Sequence, residues 1–476
     1  MGYFSSTEAL VETPADEYHS SGEEICSVFS AGKADVDDAV SAARAALTQP
    51  SWKNLSGMER GRLMTRLSSL VEANLETLAA IETLDNGKPI AASRGWDAPH
   101  LAEVLRYYAG WADKAHGAAM DLGPGKMAYT VRQPVGVVGQ IIPWNYPLAM
   151  AAWKLGPALC CGNTVVLKLA EQTPLSVLYV ARLIKEAGFP PGVVNIINGL
   201  GSVAGRALAE HGDVDKIAFT GSTATGKEVM RMAAGNLKAV TLETGGKSPL
   251  IVFEDAELDQ AVRWAHEGVM ANQGQVRTAT SKILVQDAVY DEFVRRFKAF
   301  TAEKSVLGDP FDETTFQGPQ ISERQKSSIE TYIRTAHDEG VTVHHAVRPD
   351  ALPKQGSFVP PTIFTDTTPS STVFREEIFG PCAVVARFAT EREALDAAND
   401  SRYGLAGAVF TRHVGRAHRV ARELEAGMVW VNSSNDSDVR VPFGGVKESG
   451  IGRELGEEGL RGYYNVKAVH VNLTDE

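Results

Sequence analysis

Val135-Gly136-Val137-Val138-Gly139-Gln140-Ile141-Ile142 opens a region in which short, β-branched apolar runs alternate with helical segments. Such alternation with short connections predicts parallel strands joined by right-handed crossovers. The strand candidates are residues 135–142, 164–167, 193–196, 216–219 and 238–242, and helices are predicted to start near Pro147, Pro174, Val203 and Ala224. We therefore predict a doubly wound α/β sheet, which binds nucleotides at the carboxyl ends of its strands.

A second alternating region follows, from Pro249 to about Gly445. Its strand candidates are residues 249–253, 282–285, 405–410 and 428–431. The chain before the first region is helical by its apolar spacing, with predicted segments at residues 35–47, 63–81 and 101–108. Residues 129–131 and 466–473 alternate like strands, and the second of these is predicted to be an edge strand.

The composition is that of a large globular protein. With 476 residues, of which 44% are hydrophobic, the chain is too long for one core, and roughly 150 residues per domain suggests about three domains. A net charge of −12 argues against nucleic acid or an anionic membrane as the main partner. Apolar runs stay well short of the roughly 20 residues of a membrane span, so a cytoplasmic protein is expected.

The cysteines and the first residues predict neither a disulfide-stabilised protein nor a lipid-anchored one. Cys26, Cys160, Cys161 and Cys382 have neither the density of a disulfide framework nor the spacing of a zinc site, so no metal is predicted. Residues 1–6 fit the Met-Gly-x-x-x-Ser acylation pattern. Because two bulky aromatics follow Gly2 and no basic cluster accompanies it, no lipid anchor is expected.

Two glycine motifs follow predicted strands. In Asn198-Gly199-Leu200-Gly201-Ser202-Val203-Ala204-Gly205 the last glycine comes one place too late for the usual dinucleotide fingerprint, and a turn that needs small residues explains it equally well. Gly221 to Lys227 has the spacing of a phosphate loop, but Glu228 stands where magnesium binding needs Ser or Thr. A phosphate-loop triphosphatase is therefore rejected, whereas an anion site at this helix start remains reasonable.

Five further segments resemble one known family in order and spacing. They are Leu242-Glu243-Thr244-Gly245-Gly246-Lys247, Asn272-Gln273-Gly274-Gln275-Val276-Arg277-Thr278-Ala279-Thr280, Pro143-Trp144-Asn145-Tyr146-Pro147, Glu376-Glu377-Ile378-Phe379-Gly380-Pro381 and Pro442-Phe443-Gly444-Gly445. From about residue 20 to the C-terminus the chain is similar to the NAD(P)-dependent aldehyde dehydrogenases. The resemblance implies two doubly wound, Rossmann-like α/β domains plus a small β arm.

The same resemblance implies a division of the chain. Residues 1–116 and 134–246 would form the NAD-binding domain and residues 247–448 the catalytic domain. Residues 117–133 and 449–476 would form an oligomerisation arm, so that a homodimer or homotetramer is expected.

The cofactor-binding residues that the resemblance implies surround an NAD molecule. They are Ile141, Pro143, Trp144, Lys168, Glu171, Gly201, Gly205, Phe219, Gly221, Ser222, Glu377 and Phe379. Lys168 and Glu171 would grip the adenosine ribose, and the carboxylate would repel a 2′-phosphate, which favours NAD over NADP. Taken alone, this pair is more typical of a solvated helix cap. Glu377 and Phe379 would lie at the nicotinamide end.

The implied catalytic residues are Asn145, as an oxyanion donor, Glu243, as general base, and Arg277. Outside the family context, Asn145 would be a turn former and Glu243 a loop residue. The substrate-binding residues implied are Tyr146, Trp153, Val276, Thr278 and Phe443. For the aromatic residues among them, ordinary core packing is the alternative.

Arg277 occupies the position at which the family has its nucleophilic cysteine. In the family a thiolate adds to the aldehyde carbon, and a water activated by a carboxylate hydrolyses the resulting thioester. A guanidinium has no usable lone pair and stays protonated, so it cannot replace the thiolate. The resemblance therefore implies the fold and the cofactor of the family without its covalent mechanism.

Three hypotheses about function remain open. The first is non-covalent hydride exchange with a small carbonyl or alcohol substrate, including a transient oxidation within an isomerisation. The second is an NAD-binding pseudoenzyme or partner subunit, and the third is an ordinary aldehyde dehydrogenase with a Cys-to-Arg change. Arg277 is expected to lower the pKa of Glu243, to hold that carboxylate in a bidentate pair, and to disfavour the oxidised nicotinamide.

Overall fold

The computed structural model describes residues 25–474. Residues 1–24, which include the acylation-like motif and the start of the predicted segment 1–116, lie outside the described residues, as do residues 475–476 at the end of the predicted arm.

The strands form two large sheets and two small ones. They are β1 (Ala119–Asp121), β2 (Lys126–Pro134), β3 (Val137–Ile141), β4 (Thr164–Lys168), β5 (Val194–Ile197), β6 (Lys216–Thr220), β7 (Ala239–Glu243), β8 (Pro249–Val252), β9 (Lys282–Gln286), β10 (Thr342–His345), β11 (Thr362–Thr365), β12 (Cys382–Phe388), β13 (Tyr403–Gly404), β14 (Ala406–Phe410), β15 (Met428–Val431), β16 (Val446–Lys447), β17 (Gly450–Ile451) and β18 (Tyr464–Asn472).

The α-helices connect and cover these sheets. They are α1 (Lys33–Thr48), α2 (Pro50–Lys53), α3 (Gly57–Glu72), α4 (Leu75–Asn86), α5 (Ile90–Ala92), α6 (Ala98–Ala109), α7 (Pro147–Cys160), α8 (Leu175–Ala187), α9 (Arg206–Glu210), α10 (Thr223–Ala233), α11 (Leu258–Met270), α12 (Tyr290–Lys304), α13 (Glu323–Asp338), α14 (Thr372–Arg375), α15 (Glu391–Asn399) and α16 (Val414–Glu423).

The two large sheets confirm the predicted doubly wound fold. The first has the order β17-β7-β6-β3-β4-β5, and its strands are parallel except for β17. The chain runs outward from β3 to β5 and then returns to β6, so the strand order reverses between β3 and β6. Ligands of such sheets bind at the carboxyl ends of the strands beside this point. The second sheet has the order β10-β11-β12-β9-β8-β14-β15 and reverses in the same way between β8 and β14.

The long amphipathic run predicted at residues 63–81 is not continuous. It spans parts of α3 and α4, which are separated by Ala73 and Asn74. The Asn74 side chain donates to the Leu70 carbonyl (2.8 Å) and accepts from the Tyr179 hydroxyl (2.8 Å). Side-chain to backbone bonds of this kind compete with helix propagation, which the apolar spacing alone does not reveal.

A separate small antiparallel sheet, β1-β2-β18, has mostly exposed residues, and the tail strand β18 is an edge strand as predicted. β18 pairs with β2 along its whole length, from Tyr464 opposite Pro134 to Asn472 opposite Lys126. The short strand β17 belongs elsewhere, because Gly450 pairs with Glu243 at the end of β7. Residues early in the segment 449–476 therefore contact the first large sheet.

Candidate active site

A cavity of about 570 Å³ lies at the carboxyl ends of the first sheet, and it brings the predicted catalytic and substrate-binding residues together. All eight of them line it: Asn145, Glu243, Arg277, Tyr146, Trp153, Val276, Thr278 and Phe443. Trp153 is only 4% exposed and stacks edge-on against Phe443, with ring centroids 4.6 Å apart. Trp153 therefore both packs in the core and lines the cavity.

An unusual turn, residues 272–274, lies at the inner end of the cavity. Asn272, Gln273 and Gly274 all have left-handed backbone angles, with φ of 50°, 58° and 72°. Such angles are unfavourable for non-glycine residues and persist only where surrounding contacts impose them. Here Asn272 donates to the Asn145 carbonyl (2.9 Å), and the Gln273 carbonyl accepts from Gln320 (3.1 Å). The turn thus fixes where residue 277 stands.

Replacing Gly274 by alanine is expected to cost about 2–4 kcal/mol of folding free energy or more. A Cβ there would lie 2.0 Å from the Gly380 carbonyl, and the backbone has positive φ. The measurement is urea unfolding followed by circular dichroism. Gly201→Ala is the matched control, because its Cβ would meet nothing within 4 Å, and its unfolding midpoint should be unchanged. Equal midpoints for the two variants would contradict this account of the turn.

The Arg277 guanidinium is held on three sides. Its Nη1 donates to the Gly221 carbonyl (2.9 Å), and its Cζ lies 5.2 Å from the centre of the Phe379 ring. Its Nε is 3.5 Å from Oε2 of Glu243. The side chain is 11% exposed, so these contacts are largely shielded from water. Arg277 therefore closes the inner end of the cavity and faces the turn between β6 and α10.

The two predicted effects of Arg277 on Glu243 have different outcomes. The charge of Arg277 lowers the pKa of Glu243 as predicted, but the contact is a single one rather than bidentate, and the pKa as a whole is raised to about 7. Burial of the carboxylate is the largest cause of the higher pKa, and the charge of Arg277 opposes it only in part. Oε1 of Glu243 is buried without a hydrogen-bond partner among the described residues. Glu243 is thus able to exchange a proton near neutral pH.

Asn145 lies in the turn between β3 and α7 and faces the same point. Its Nδ2 donates to the Gln275 carbonyl (2.8 Å), which fixes the orientation of the amide. The second hydrogen of Nδ2 remains for another acceptor, while Oδ1 is buried and without a partner in the described part of the chain.

The residues predicted to bind a nucleotide include groups at the carboxyl ends of β4 and β6, where the Gly221 carbonyl contacts Arg277. At the end of β4, Lys168 Nζ contacts Glu171 Oε2 at 2.9 Å, and burial lowers the pKa of Lys168. Ser222 is the N-cap of α10 and accepts from the Thr225 amide (3.2 Å). The Phe219 ring lies directly over Gly221, where a Cβ would approach it to 2.2 Å. A side chain at position 221 would therefore displace this ring.

Glu377 and Phe379 come from the loop before β12. Oε1 of Glu377 accepts from the Gly246 amide (3.0 Å), and burial raises its pKa although Arg277 opposes this. Phe379 has a left-handed backbone (φ 56°) and packs edge-on against Trp144 at 5.4 Å. These contacts tie the loop to both sheets.

The remaining predicted cofactor residues lie at or after the carboxyl ends of β3 and β5. Ile141 ends β3, and Pro143 is buried in the turn that follows. Gly201 and Gly205 bound a π-helical turn before α9, and a Cβ at either would meet no atom within 4 Å. Packing inside the chain therefore does not require glycine at these two positions. This weakens the interpretation that the glycines are there only because the turn needs small residues.

None of the four cysteines lines the cavity, and all four lie within residues 25–474. Cys160, Cys161 and Cys382 are buried elsewhere, and burial raises the pKa of the Cys382 thiol to about 12. In the same part of the chain there is no cluster of three or more potential metal-ligating side chains. No helix in this stretch is both long and apolar enough to cross a membrane.

Sequence reasoning missed a buried charge cluster in the cavity wall. Lys88 Nζ is 2.7 Å from Asp97 and 3.7 Å from Glu82, and it lies 4.1 Å above the centre of the Tyr146 ring. Burial raises the pKa of Glu82 to about 7. Lys88 and Asp97 lie in a helical region without a recognisable polar motif, so no signal marked them.

A second missed pair lies behind Glu243. Lys154 forms a buried ion pair with Glu454 and donates to the Thr220 hydroxyl (2.7 Å). All residues of α7 are buried, so the single lysine in this apolar helix could have been recognised as a buried charge that needs a partner. Glu454 follows a glycine-rich loop far along the chain, and nothing local indicated it. Aromatic residues also missed at the cavity are Trp96, Trp264 and Trp430.

Comparison with known proteins agrees with this architecture. Residues 7–469 match the Aldehyde dehydrogenase family. The aldehyde dehydrogenase of Emericella nidulans is 51% identical over 452 residues, covering 95% of this chain and 90% of that protein. The mitochondrial aldehyde dehydrogenase of Mesocricetus auratus is 51% identical over 457 residues, covering 95% and 91%.

A solved structure extends the agreement to three dimensions. The NAD⁺ complex of an aldehyde dehydrogenase from Bacillus cereus superposes with a TM-score of 0.94 at 45% identity, covering 96% of this chain and 93% of that one. The fold described above, with its two doubly wound sheets, is thus shared along almost the whole length of both chains. By sequence and by fold, the chain belongs to the aldehyde dehydrogenase family of oxidoreductases.

Proposed function

We propose that this chain is an NAD-dependent oxidoreductase that exchanges hydride with a small carbonyl or alcohol without a covalent enzyme intermediate. One observation carries the proposal: Glu243, Asn145 and Arg277 meet at the inner end of the cavity, and no cysteine reaches it. In this proposal Arg277 holds the position of the family's nucleophilic cysteine. Without a thiolate there is no thioester, so any chemistry must proceed through hydride and proton transfer.

The residues beyond Arg277 fit an NAD molecule. The Lys168–Glu171 pair offers a cation and a carboxylate to ribose hydroxyls, and the Ser222-capped start of α10 favours a pyrophosphate. The open space at Gly201 and Gly205 leaves room for a ligand to approach the backbone. The relatives support the same cofactor, since a Bacillus cereus aldehyde dehydrogenase is described as an NAD⁺ complex.

When bound, NAD supplies the hydride acceptor or donor. In the proposed reaction Asn145 donates its remaining Nδ2–H to the substrate oxygen, and Arg277 adds positive charge beside it. Glu243 exchanges the proton of the substrate hydroxyl through its unpartnered Oε1. The apolar body of the substrate contacts the aromatic wall formed by Tyr146 and Trp153 with their neighbours.

The wider setting of the activity is part of the same proposal. Residues 1–116 and 134–246 would bind NAD, and residues 247–448 would complete the catalytic site. The segments 117–133 and 449–476 would join copies of the chain into a homodimer or homotetramer in the cytoplasm. Support comes from β18, whose exposed residues include Val466 (62%) at the free side of the β1-β2-β18 sheet.

Binding without turnover is the second candidate function. The observation that favours it is that Gly221 and Phe379 already engage the Arg277 guanidinium. A guanidinium held in this way occupies space on the nucleotide side of the cavity, where a reacting group would need to enter.

The test is NAD(H)-dependent conversion after all accessible thiols have been blocked with N-ethylmaleimide. Wild type is incubated with a panel of apolar aldehydes and ketones plus NADH, and with the matching alcohols plus NAD⁺, and absorbance of the reduced cofactor is followed. Conversion is expected to persist after thiol blocking, because the cavity contains no cysteine.

Two results would overturn the proposal. Cofactor binding with no conversion in either direction would favour the second candidate function. Aldehyde oxidation that appears only in Arg277→Cys would instead mean an ordinary aldehyde dehydrogenase with a changed residue.

A further inference from the structure

Arg277 brings a permanent positive charge to the nucleotide side of the cavity. Its guanidinium lies against the Phe379 ring and is anchored to the Gly221 carbonyl. A guanidinium does not deprotonate at any working pH, in contrast to a lysine or a histidine.

Two carboxylates lie near Arg277, Glu243 and Glu377, and burial raises the pKa of both. Glu454 and Lys154 lie behind Glu243 as an ion pair of little net charge. A neutral side chain at position 277 would leave the site more negative by one full charge.

A ring that packs beside Phe379 meets this charge. The oxidised nicotinamide carries a positive charge, and the reduced form is neutral. A positively charged ring beside the guanidinium would be repelled at a site shielded from water, whereas a neutral ring would not.

We propose that Arg277 makes the site bind the reduced, uncharged cofactor more tightly than the oxidised cofactor. This rests on the proposed NAD-dependent function.

The test compares affinities for NADH, NAD⁺ and ADP-ribose by isothermal titration calorimetry. Wild type is expected to bind NADH about tenfold more tightly than NAD⁺ or better. Arg277→Met, which keeps length without charge, is expected to bring this ratio close to one, whereas Arg277→Lys should retain it. Arg263→Met is the matched control, because it removes a cation from the same cavity at a different place and should leave the ratio unchanged.

ADP-ribose separates failure of this inference from failure of the proposed function. It lacks the nicotinamide, so its affinity should be equal in all the variants. If ADP-ribose binds but the NADH to NAD⁺ ratio is one in wild type, or is the same in Arg277→Met, the inference is overturned and the NAD site stands. If none of the three ligands binds wild type, the proposed function falls and the inference with it. If Arg277→Met does not fold, the ratio of NADH to NAD⁺ affinity in wild type and in Arg277→Lys still tests the inference.

Discussion

Glutamine in place of Glu243 is expected to abolish hydride-coupled turnover and to stabilise the fold at neutral and alkaline pH. The rate should fall by about 100-fold or more, because glutamine cannot exchange the substrate proton. Activity is measured as NAD(H)-dependent conversion, and stability by urea unfolding at several pH values.

The stability effect has a definite sign. The pKa of Glu243 is raised from 4.5 to about 7, so between these pH values the folded protein holds a proton that the unfolded chain has lost. Stability of wild type therefore decreases as pH rises through this window, and the loss is complete above about pH 7. Glutamine removes the loss, which amounts to roughly 3 kcal/mol or less. The advantage of the variant should be absent below about pH 4.5.

The control is Glu254→Gln, an exposed carboxylate away from the cavity, which should change neither activity nor the pH profile. For wild type, a reductive rate should decline as pH rises through about 7, because the protonated form of Glu243 is the donor. If Glu243→Gln turns over as fast as wild type, Glu243 has no role in the mechanism. If its stability depends on pH as that of wild type does, the raised pKa of the buried Glu243 carboxyl is contradicted.

Replacing Lys88 by methionine is expected to destabilise the fold by about 3–5 kcal/mol at neutral pH. Lys88 is 1% exposed and neutralises Asp97 and Glu82, whose pKa values burial already raises. Without the cation these carboxyls must take up protons to remain buried. The destabilisation should therefore be larger at pH 8 than at pH 5, as measured by urea unfolding.

Two variants sharpen this test. Lys33→Met breaks an exposed pair with Asp37 and should change stability little. Adding Asp97→Asn to Lys88→Met should restore part of the lost stability, since it removes one of the carboxylates left unpaired. Equal losses for Lys88→Met and Lys33→Met would show that the buried cluster contributes no more than a surface ion pair.

The amino-acid sequence by itself determined the fold class and most of the strands. Runs such as 164–167 and 282–285 were identified because strands buried on both faces are continuous in apolar, β-branched residues. The same local pattern could not separate α3 from α4, because the break depends on side-chain bonds of Asn74 with Leu70 and Tyr179.

At the site, the sequence supplied the residues but not their electrostatics. Short motifs that resemble those of the family pointed to Asn145, Glu243 and Arg277, and all three line one cavity. Their burial was decided by chain segments far away in sequence, so the rise that burial causes in the pKa of Glu243, which outweighs the effect of Arg277, was not predicted. Lys88 and Glu454 escaped notice for the same reason. A pKa depends on burial and on charges gathered through tertiary packing, and these are properties of the folded structure that local sequence patterns do not encode.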